Sequence, residues 1–477
     1  YTLEFVGSSD VYKRQLLGKS GEINMSIIAA IATPDTPGGI SVIRISGEEA
    51  IKICDRFFKP FNGRKVSEME GYTCAYGRIF DGEEYIDDAV ITVFREPKSY
   101  TGENVAEISC HGGLYITRRI LRIALKNGAR PAEAGEFTKR AFLNGKMSLT
   151  QAEAVMDIIS SSGERELKYA NALKEGAIFR RISSLKDTLI KILGDLAAWA
   201  DFPEEDVPEV RPEILSSELE SLIKRFKETA KTYDYGRIIR NGINTVIVGK
   251  PNVGKSTLMN YLSGFERSIV TDIEGTTRDV IEESVRIGSL TLRLSDTAGI
   301  RKTDDVIESM GVDIAFRRAE EADLILAVFD GGREISGEDK EIIKRIVDKN
   351  AVAIINKTDK EIIIDKSYLE RNFKFIVEIS AKNESGMDKL ENCLEKLFLD
   401  FDDNPEQGFI ANERQKNCLE KSLENVIEAK EALDEGVLLD GITVLLDSAA
   451  EKLMELTGEK ASEAVVDDVF SRFCVGK

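Results

Sequence analysis

The hydrophobic positions of the chain fall into three regimes. Between residues 27 and 93, short apolar runs alternate with turns, and from Leu114 to Lys126 the spacing becomes helical, so this part reads as α+β. A second regime opens with Leu149, Ala152, Val155, Met156 and Ile159, one apolar face at helical spacing. No proline occurs between Pro131 and Pro203 or after Pro405, so both stretches read as long helices. The acidic segment Asp201-Phe202-Pro203-Glu204-Glu205-Asp206, with Pro208 and Pro212, interrupts the first. The third regime is strand-like. Val246-Ile247-Val248 is a short apolar run, Leu290, Leu292 and Leu294 alternate, and further runs cover residues 324–329, 351–355 and 375–379. Strands separated by helix-sized polar segments predict a parallel sheet with helices on both faces. That region, residues 241–401, reads as an insertion within an all-helical domain built from residues 147–240 and 402–477; residues 25–146 form the N-terminal domain.

Chemistry enters at the end of the first of those strands. Gly249-Lys250-Pro251-Asn252-Val253-Gly254-Lys255-Ser256-Thr257 has the G-x-x-x-x-G-K-[ST] spacing of a phosphate-binding loop, with helix-forming residues behind it. Its glycines let backbone N–H groups curl round phosphate oxygens at a helix N-terminus. Lys255 is expected to reach the β- and γ-phosphates and Ser256 to ligate Mg²⁺. The alternating strand at Leu290 delivers Asp296-Thr297-Ala298-Gly299, a D-x-x-G element for Mg²⁺ and the γ-phosphate. Asn356-Lys357-Thr358-Asp359 has the form of the N-K-x-D guanine reader, whose carboxylate accepts from guanine N1–H and the exocyclic amino group. Ser380-Ala381-Lys382 supplies a base-contacting loop. Four elements in this order, each at a strand end, predict a Ras-like P-loop GTPase domain.

The catalytic details depart from the Ras pattern. The position after D-x-x-G, where Ras-type enzymes carry a glutamine, is Ile300, which cannot hydrogen-bond water. The Asn252 amide oxygen can instead coordinate a monovalent cation beside the phosphates. A first switch, Thr271-Asp272-Ile273-Glu274-Gly275-Thr276-Thr277, can close that cage with backbone carbonyls, and the Thr277 hydroxyl can ligate Mg²⁺. Taken alone, Asn252 is equally compatible with an ordinary loop residue, and Glu308 with a solvated surface charge.

Composition adds limits. The net charge of −19 argues against a general nucleic-acid binder. The excess is uneven, since residues 25–150 carry 17 basic against 16 acidic side chains. Arg118, Arg119, Arg122, Lys126 and Arg130, followed by Lys139, Arg140 and Lys146, form a candidate basic stripe for RNA phosphates or a solvated helix face. Six scattered cysteines without a pairing pattern fit a reducing, cytoplasmic setting. No apolar run is long enough to span a bilayer, and no membrane insertion is expected. Cys474 lacks a C-x-x-C partner, leaving structural and redox roles open, and His111, the single histidine, reads as structural. Residues 1–24 precede Met25-Ser26-Ile27-Ile28 and read as a disordered, non-native extension.

The motifs together resemble one family, the tRNA-modification GTPases called MnmE or TrmE. The resemblance rests on P-N-x-G-K-S, on D-T-A-G-I, on Gly38-Gly39-Ile40-Ser41-Val42-Ile43-Arg44, Ser99-Tyr100-Thr101-Gly102-Glu103 and Glu107-Ile108-Ser109-Cys110-His111-Gly112-Gly113, and on the terminal Phe473-Cys474-Val475-Gly476-Lys477. It implies K⁺ binding through Asn252, Thr271, Ile273 and Thr276, with Glu308 as the catalytic glutamate that orients water. It implies that the N-terminal domain binds 5-formyl-tetrahydrofolate or a related one-carbon tetrahydrofolate through Arg44, Glu107 and Lys146, with Lys477 contributing. It also implies an N-terminal homodimer, GTP-dependent pairing of the GTPase domains, and a heterotetramer with an FAD- and NADH-dependent flavoprotein of the MnmG (GidA) type. The implied activity is K⁺-stimulated GTP hydrolysis serving addition of a carboxymethylaminomethyl-type group at C5 of the wobble uridine, position 34, of certain tRNAs. The competing reading is a GTP-dependent RNA-binding switch that takes no part in modification. The N-terminal motifs and F-C-V-G-K favour the former, with valine where isoleucine is usual.

Overall fold

The computed structural model describes residues 26–201, 211–264, 283–294, 319–398 and 404–476. By compactness the chain divides into two units: Tyr1–Met156, Asn171–Ala230 and Glu413–Lys477 form the first, Asp157–Ala170 and Lys231–Asn412 the second.

The first unit carries a seven-stranded sheet. Its strands are β1 (Ile28–Ile31), β2 (Ile40–Ser46), β3 (Phe58–Pro60), β4 (Thr73–Asp81), β5 (Glu84–Phe94), β6 (Val105–His111) and β7 (Arg130–Pro131), in the spatial order β3-β4-β5-β6-β2-β1-β7. All neighbours pair antiparallel except β1 and β7. Alternation sends Ile43, Ile45, Ile79, Ile91, Val93 and Ile108 into one core. The helix Leu114–Lys126 lies on that core through Thr117, Ile120, Ile123 and Ala124, the i, i+3, i+6, i+7 stripe that its sequence predicts. Each buried isoleucine contributes roughly 1.5–3 kcal/mol by removal of apolar surface from water, an upper bound for a compact denatured chain.

The helix Glu136–Leu143 is set by charge as well as packing. Arg140, 1% exposed, donates to Glu136 at 2.9 Å and to Glu103 at 3.1 Å, and Glu136 also accepts from Arg130 at 2.5 Å. Burial opposes ionisation of Glu136, but the Arg130 bond, the Glu133 backbone N–H and Arg140 together hold its carboxyl below the ordinary glutamate value.

The helical part of this unit packs Ala177–Asp201, Pro212–Ala230, Glu413–Asp434 and Leu439–Thr457 against one another. The proline-free stretch before Pro203, read as long helices, holds three of them from Leu149 onward, Leu149–Ser160, Glu164–Lys174 and Ala177–Asp201. Gly163 lies in the first break, and Gly176 (φ +87°) occupies the second in a conformation that glycine adopts without strain. Leu149, Ala152 and Val155 are buried against Phe142, Phe470 and Phe473, whereas Ile159, placed on the same face by periodicity, is exposed. Glu153 receives both Nε and Nη2 of Arg414, at 2.8 and 2.9 Å, and Gln415 at 2.7 Å.

The second unit is an α/β domain. Its strands are β8 (Ile243–Val248), β9 (Glu283–Ile287), β10 (Leu290–Leu294), β11 (Leu324–Asp330), β12 (Ala351–Asn356) and β13 (Phe375–Glu378), in the order β13-β12-β11-β8-β10-β9. All pair parallel except β9 with β10, where the two residues Gly288 and Ser289 close a hairpin; so short a link can join only antiparallel neighbours. The central strands are buried on both faces: Ile247, Leu326, Val328, Val352 and Ile354 face one core, and Val246, Ala327, Phe329, Ala353 and Ile355 the other. Residues 157–170 join this unit through Asp157 to Arg240 (2.5 Å), Arg165 to the Tyr235 hydroxyl (2.8 Å) and the Tyr169 ring against Phe409 (5.2 Å).

Candidate functional site

The phosphate-binding loop leaves the carboxyl end of β8, next to β11, and feeds the helix Lys255–Gly264. Gly249 (φ +151°) has the Val328 carbonyl oxygen 2.5 Å from where a Cβ would sit, and Gly254 (φ +99°) has the Asn356 Nδ2 at 2.3 Å, so neither position admits a side chain. Lys255 Nζ donates to the Gly249 and Lys250 carbonyls at 2.7 and 2.8 Å, spanning the cradle from within. The Ser256 and Thr257 side chains are exposed at the first helical turn and form no hydrogen bond among the described residues, so both hydroxyls are open to a ligand. Lys250 is tied away from the loop, to Ser336 and Asp339, each at 2.7 Å.

The N-K-x-D residues are joined to this loop. Asn356, 2% exposed, donates from Nδ2 to the Val253 carbonyl (3.0 Å) and accepts at Oδ1 from the N–H of Lys357 (2.8 Å) and of Ala381 (3.1 Å). One buried amide thereby links the phosphate loop, the end of β12 and the Ser380-Ala381-Lys382 loop. Lys357 Nζ donates to the Asn252 carbonyl at 2.6 Å and to Asp330 Oδ2 at 2.7 Å. Asp359 is exposed and accepts the Ser380 hydroxyl at 2.6 Å. That bond, with Lys382 and Lys360 nearby, holds its carboxyl below the ordinary aspartate value, leaving an ionised acceptor facing solvent.

Asn252, Val253, Gly254, Lys255, Ser256, Thr257, Asn356, Lys357, Asp359, Ser380, Ala381 and Lys382 are thus brought to one end of the sheet. Thr271 to Thr277, Asp296 to Gly299 and Glu308 lie outside the described residues. Sequence reading missed Asp330 and the Lys250 tether to Ser336 and Asp339. Asp330 ends an apolar strand run, a position that could have marked it as the phosphate loop's glycine is marked.

A second polar site lies on the sheet of the first unit. Arg44 and Glu107 are cross-strand partners on β2 and β6, with Nε to Oε1 at 2.8 Å. The Arg44 guanidinium sits 5.6 Å from the Tyr100 ring centre and 5.5 Å from that of Phe137, and its Nη1 donates to the Gly476 carbonyl at 3.2 Å. The carboxyl-terminal segment reaches this point through the bridge Ala134 to Val475, and Gly476 (φ +99°) has Ile31 O 2.4 Å from a would-be Cβ. Lys146 Nζ donates to the Pro97 carbonyl at 2.9 Å and bonds neither Arg44 nor Glu107. Lys477 lies outside the described residues.

Most of the candidate basic stripe is ion-paired. Arg118 pairs with Asp35, Arg119 with Glu84, Lys126 with Asp81, Arg130 with Glu136 and Lys139 with Asp467. Arg140 is buried in the Glu136–Glu103 network and cannot meet phosphate. Spacing along a helix gave the cations a common side, but the carboxylates that neutralise most of them come from distant segments. His111 is held by Asp87, Nδ1 to Oδ1 at 2.7 Å, and its backbone N–H donates to Asp87 Oδ2 at 2.9 Å, a structural arrangement as expected. All six cysteines are free, among the described residues no group of metal-binding side chains stands out, and no described helix is long and apolar enough to cross a membrane.

A largely parallel sheet with a glycine cradle at β8, and a buried asparagine tying that cradle to an N-K-x-D reader, defines a P-loop GTPase domain. Outside that domain, residues 27–146 match the family model of the GTP-binding protein TrmE N-terminus, and residues 149–474, which span the domain, match the MnmE helical domain. The tRNA modification GTPase MnmE of Clostridioides difficile strain 630 is 40% identical over 455 residues, covering 94% of this chain and 99% of its own length. That of Thermoanaerobacter pseudethanolicus is 41% identical over 456 residues, with the same coverage. The chain belongs to the MnmE family of tRNA modification GTPases. Among solved structures, Era in complex with MgGDPNP and a 16S ribosomal RNA fragment aligns with 32% of this chain and 56% of its own, at 34% identity and a TM-score of 0.25.

Proposed function

We propose that this protein is a K⁺-stimulated GTPase whose hydrolysis of GTP to GDP and phosphate drives addition of a carboxymethylaminomethyl-type group at C5 of the wobble uridine of certain tRNAs. The observation that carries the reading is the shared frame of the phosphate loop and guanine reader, in which Asn356 holds Val253 and Lys357 holds Asn252. Asp359 accepts from the guanine edge, with the Ala381 N–H already oriented by Asn356. Lys255 leaves its loop carbonyls to neutralise phosphate charge, and the backbone N–H groups of Val253 to Thr257 cradle the phosphates. The free Ser256 hydroxyl suits Mg²⁺, with Thr277 as its second protein ligand. The exposed Asn252 amide, bonded to nothing among the described residues through its side chain, suits K⁺, with Thr271, Ile273 and Thr276 completing the set. These cations, when bound, would offset the charge that develops on the transferred phosphoryl group and the departing GDP. Asp272, Glu274 and Gly275 complete the first switch around the nucleotide, Asp296, Thr297, Ala298 and Gly299 the γ-phosphate side, and Glu308 orients the attacking water.

The Arg44–Glu107 site fits a one-carbon tetrahydrofolate. Glu107 uses one carboxylate oxygen on Arg44 and keeps the other for ring N–H donors, while Tyr100 and Phe137 flank the guanidinium with flat apolar faces. Lys146 and Lys477 suit the glutamate tail. In this reading residues 25–146 bind folate and dimerise, residues 147–240 and 402–477 form the helical domain, and residues 241–401 hydrolyse GTP and pair across their nucleotides. The protein works in the cytoplasm with tRNA and an FAD- and NADH-dependent partner.

The test is hydrolysis by the full chain in K⁺ and Na⁺ at matched ionic strength, with nucleoside analysis of tRNA from cells lacking the protein. Much faster turnover in K⁺ and loss of the C5-modified wobble uridine are expected. Equal turnover in both salts removes the cation reading, and unchanged wobble nucleosides favour an RNA-binding switch without a part in modification.

A further inference from the structure

Two of the four described non-glycine residues with positive φ meet at a single bond. Asn252 (φ +64°) and Lys357 (φ +66°) are both left-handed, and Lys357 Nζ donates to the Asn252 carbonyl at 2.6 Å. Each conformation costs a side-chain-bearing residue about 1 kcal/mol or more and persists only where the surroundings over-determine it. That bond is the only one Asn252 makes among the described residues, so the position of Lys357 decides how the Asn252 backbone, and hence its amide, is presented.

Lys357 is itself held by Asp330. Strand pairing places them together: Asp330 ends β11 opposite Asn356, the last residue of β12, and Lys357 follows directly. The Asp330 carboxylate is 9% exposed, and both its oxygens are engaged. Oδ2 accepts Lys357 Nζ at 2.7 Å, Oδ1 accepts the Gly332 N–H at 3.0 Å, and Arg333 approaches Oδ2 at 3.7 Å. A fixed anion thus anchors an ammonium that would otherwise be free to turn into water, and that ammonium presses on the phosphate loop.

We infer that Asp330 is a positioning residue that sets both the affinity for guanine nucleotides and the response to the monovalent cation, by holding Lys357 on the Asn252 carbonyl. The cation half of this inference rests on the K⁺ reading above; the nucleotide half does not. Asp330 touches neither nucleotide nor cation in this scheme. It acts through Lys357, which bridges the guanine reader and the loop carrying the cation ligand.

The experiment compares the full-length wild type with Asp330→Asn, Asp330→Glu, Lys357→Met and the Asp330→Asn/Lys357→Met double variant. Asp330→Asn keeps the shape and the acceptor for Gly332 while removing the charge. The readouts are the dissociation constant of a fluorescent GDP in K⁺ and in Na⁺, the K⁺ concentration for half-maximal GTP hydrolysis, and thermal unfolding. Loss of one charge-assisted bond should weaken GDP binding by about tenfold in both salts and raise the half-maximal K⁺ concentration. Asp330→Glu should recover part of both. In the double variant, the loss should not exceed that of Lys357→Met alone, because the two residues act in series. A folded Asp330→Asn protein with wild-type GDP affinity and K⁺ response overturns the inference, as does full additivity in the double variant. If the wild type itself is indifferent to K⁺, the cation reading falls, and the GDP-affinity cycle alone decides the role of Asp330.

Discussion

Replacing Asn356 by alanine tests the frame that joins the two halves of the nucleotide site. The side chain is buried and makes three hydrogen bonds, to the Val253 carbonyl and from the Lys357 and Ala381 amides. Truncation leaves two backbone N–H donors and one carbonyl without that partner. A buried polar group left unpaired costs about 1–3 kcal/mol, and water entering the small space vacated recovers part of it. Taking one such group as the lasting penalty, with the other two hydrated, gives about 1–3 kcal/mol. Since about 1.4 kcal/mol is a factor of ten in a binding constant, the GDP dissociation constant should rise by about one to two orders of magnitude. Titration of a fluorescent GDP analogue at fixed Mg²⁺ measures it directly. Asn356→Asp keeps the acceptor for both N–H groups but sets a carboxylate against the Val253 carbonyl, so it should fall between wild type and alanine. An Asn356→Ala protein that binds GDP within about threefold of wild type would refute the reasoning, because the three bonds could then not be what orders the loops.

Other outcomes follow from the same geometry. Glu136 has a folded-state pKa below its ordinary value of 4.5, so its ion pairs stabilise the protein above that pH, and the contribution is lost as pH falls through the lowered folded value. Glu136→Gln should therefore unfold at lower temperature than wild type at pH 7, with the gap closing in acid; a gap that widens on acidification contradicts this. Gly476→Ala forces a Cβ against the Ile31 carbonyl in a left-handed conformation. It should shift the terminal segment off Arg44 and weaken 5-formyl-tetrahydrofolate binding by about tenfold in calorimetry, and an unchanged affinity would detach the terminal segment from the site. Glu308→Ala should retain GTP binding and lose about 10² or more in single-turnover hydrolysis, the usual size of a lost proton-transfer or water-orienting group; unchanged turnover returns Glu308 to the status of a surface charge.

Much of the molecule was legible in one dimension because its signals are local. A phosphate cradle needs glycines at fixed spacing, since only they allow the backbone at Gly249 and Gly254 to approach Val328 and Asn356 so closely. The helix Leu114–Lys126 was readable from its apolar stripe, and the central strands from continuous apolar runs. Legibility ended where a role depends on residues far apart in the chain. Arg118, Arg119, Lys126, Lys139 and Arg140 looked alike as basic positions, and only distant carboxylates distinguish a neutralised surface from a buried ion network. The antiparallel β9–β10 edge likewise depended on a two-residue link that periodicity does not weigh.

Sequence by itself determined the family and the order of motifs along the strand ends, because residues at fixed spacing in the chain are local signals. Tertiary structure alone decided how those groups are held. Asp330 carries no motif, yet the register of β11 against β12 places it on Lys357, and through Lys357 on Asn252. The physical reason is range. Backbone conformation and helix or strand periodicity act over a few residues, whereas pairing of charges and closure of hydrogen bonds join whatever the folded chain brings within about 3 Å.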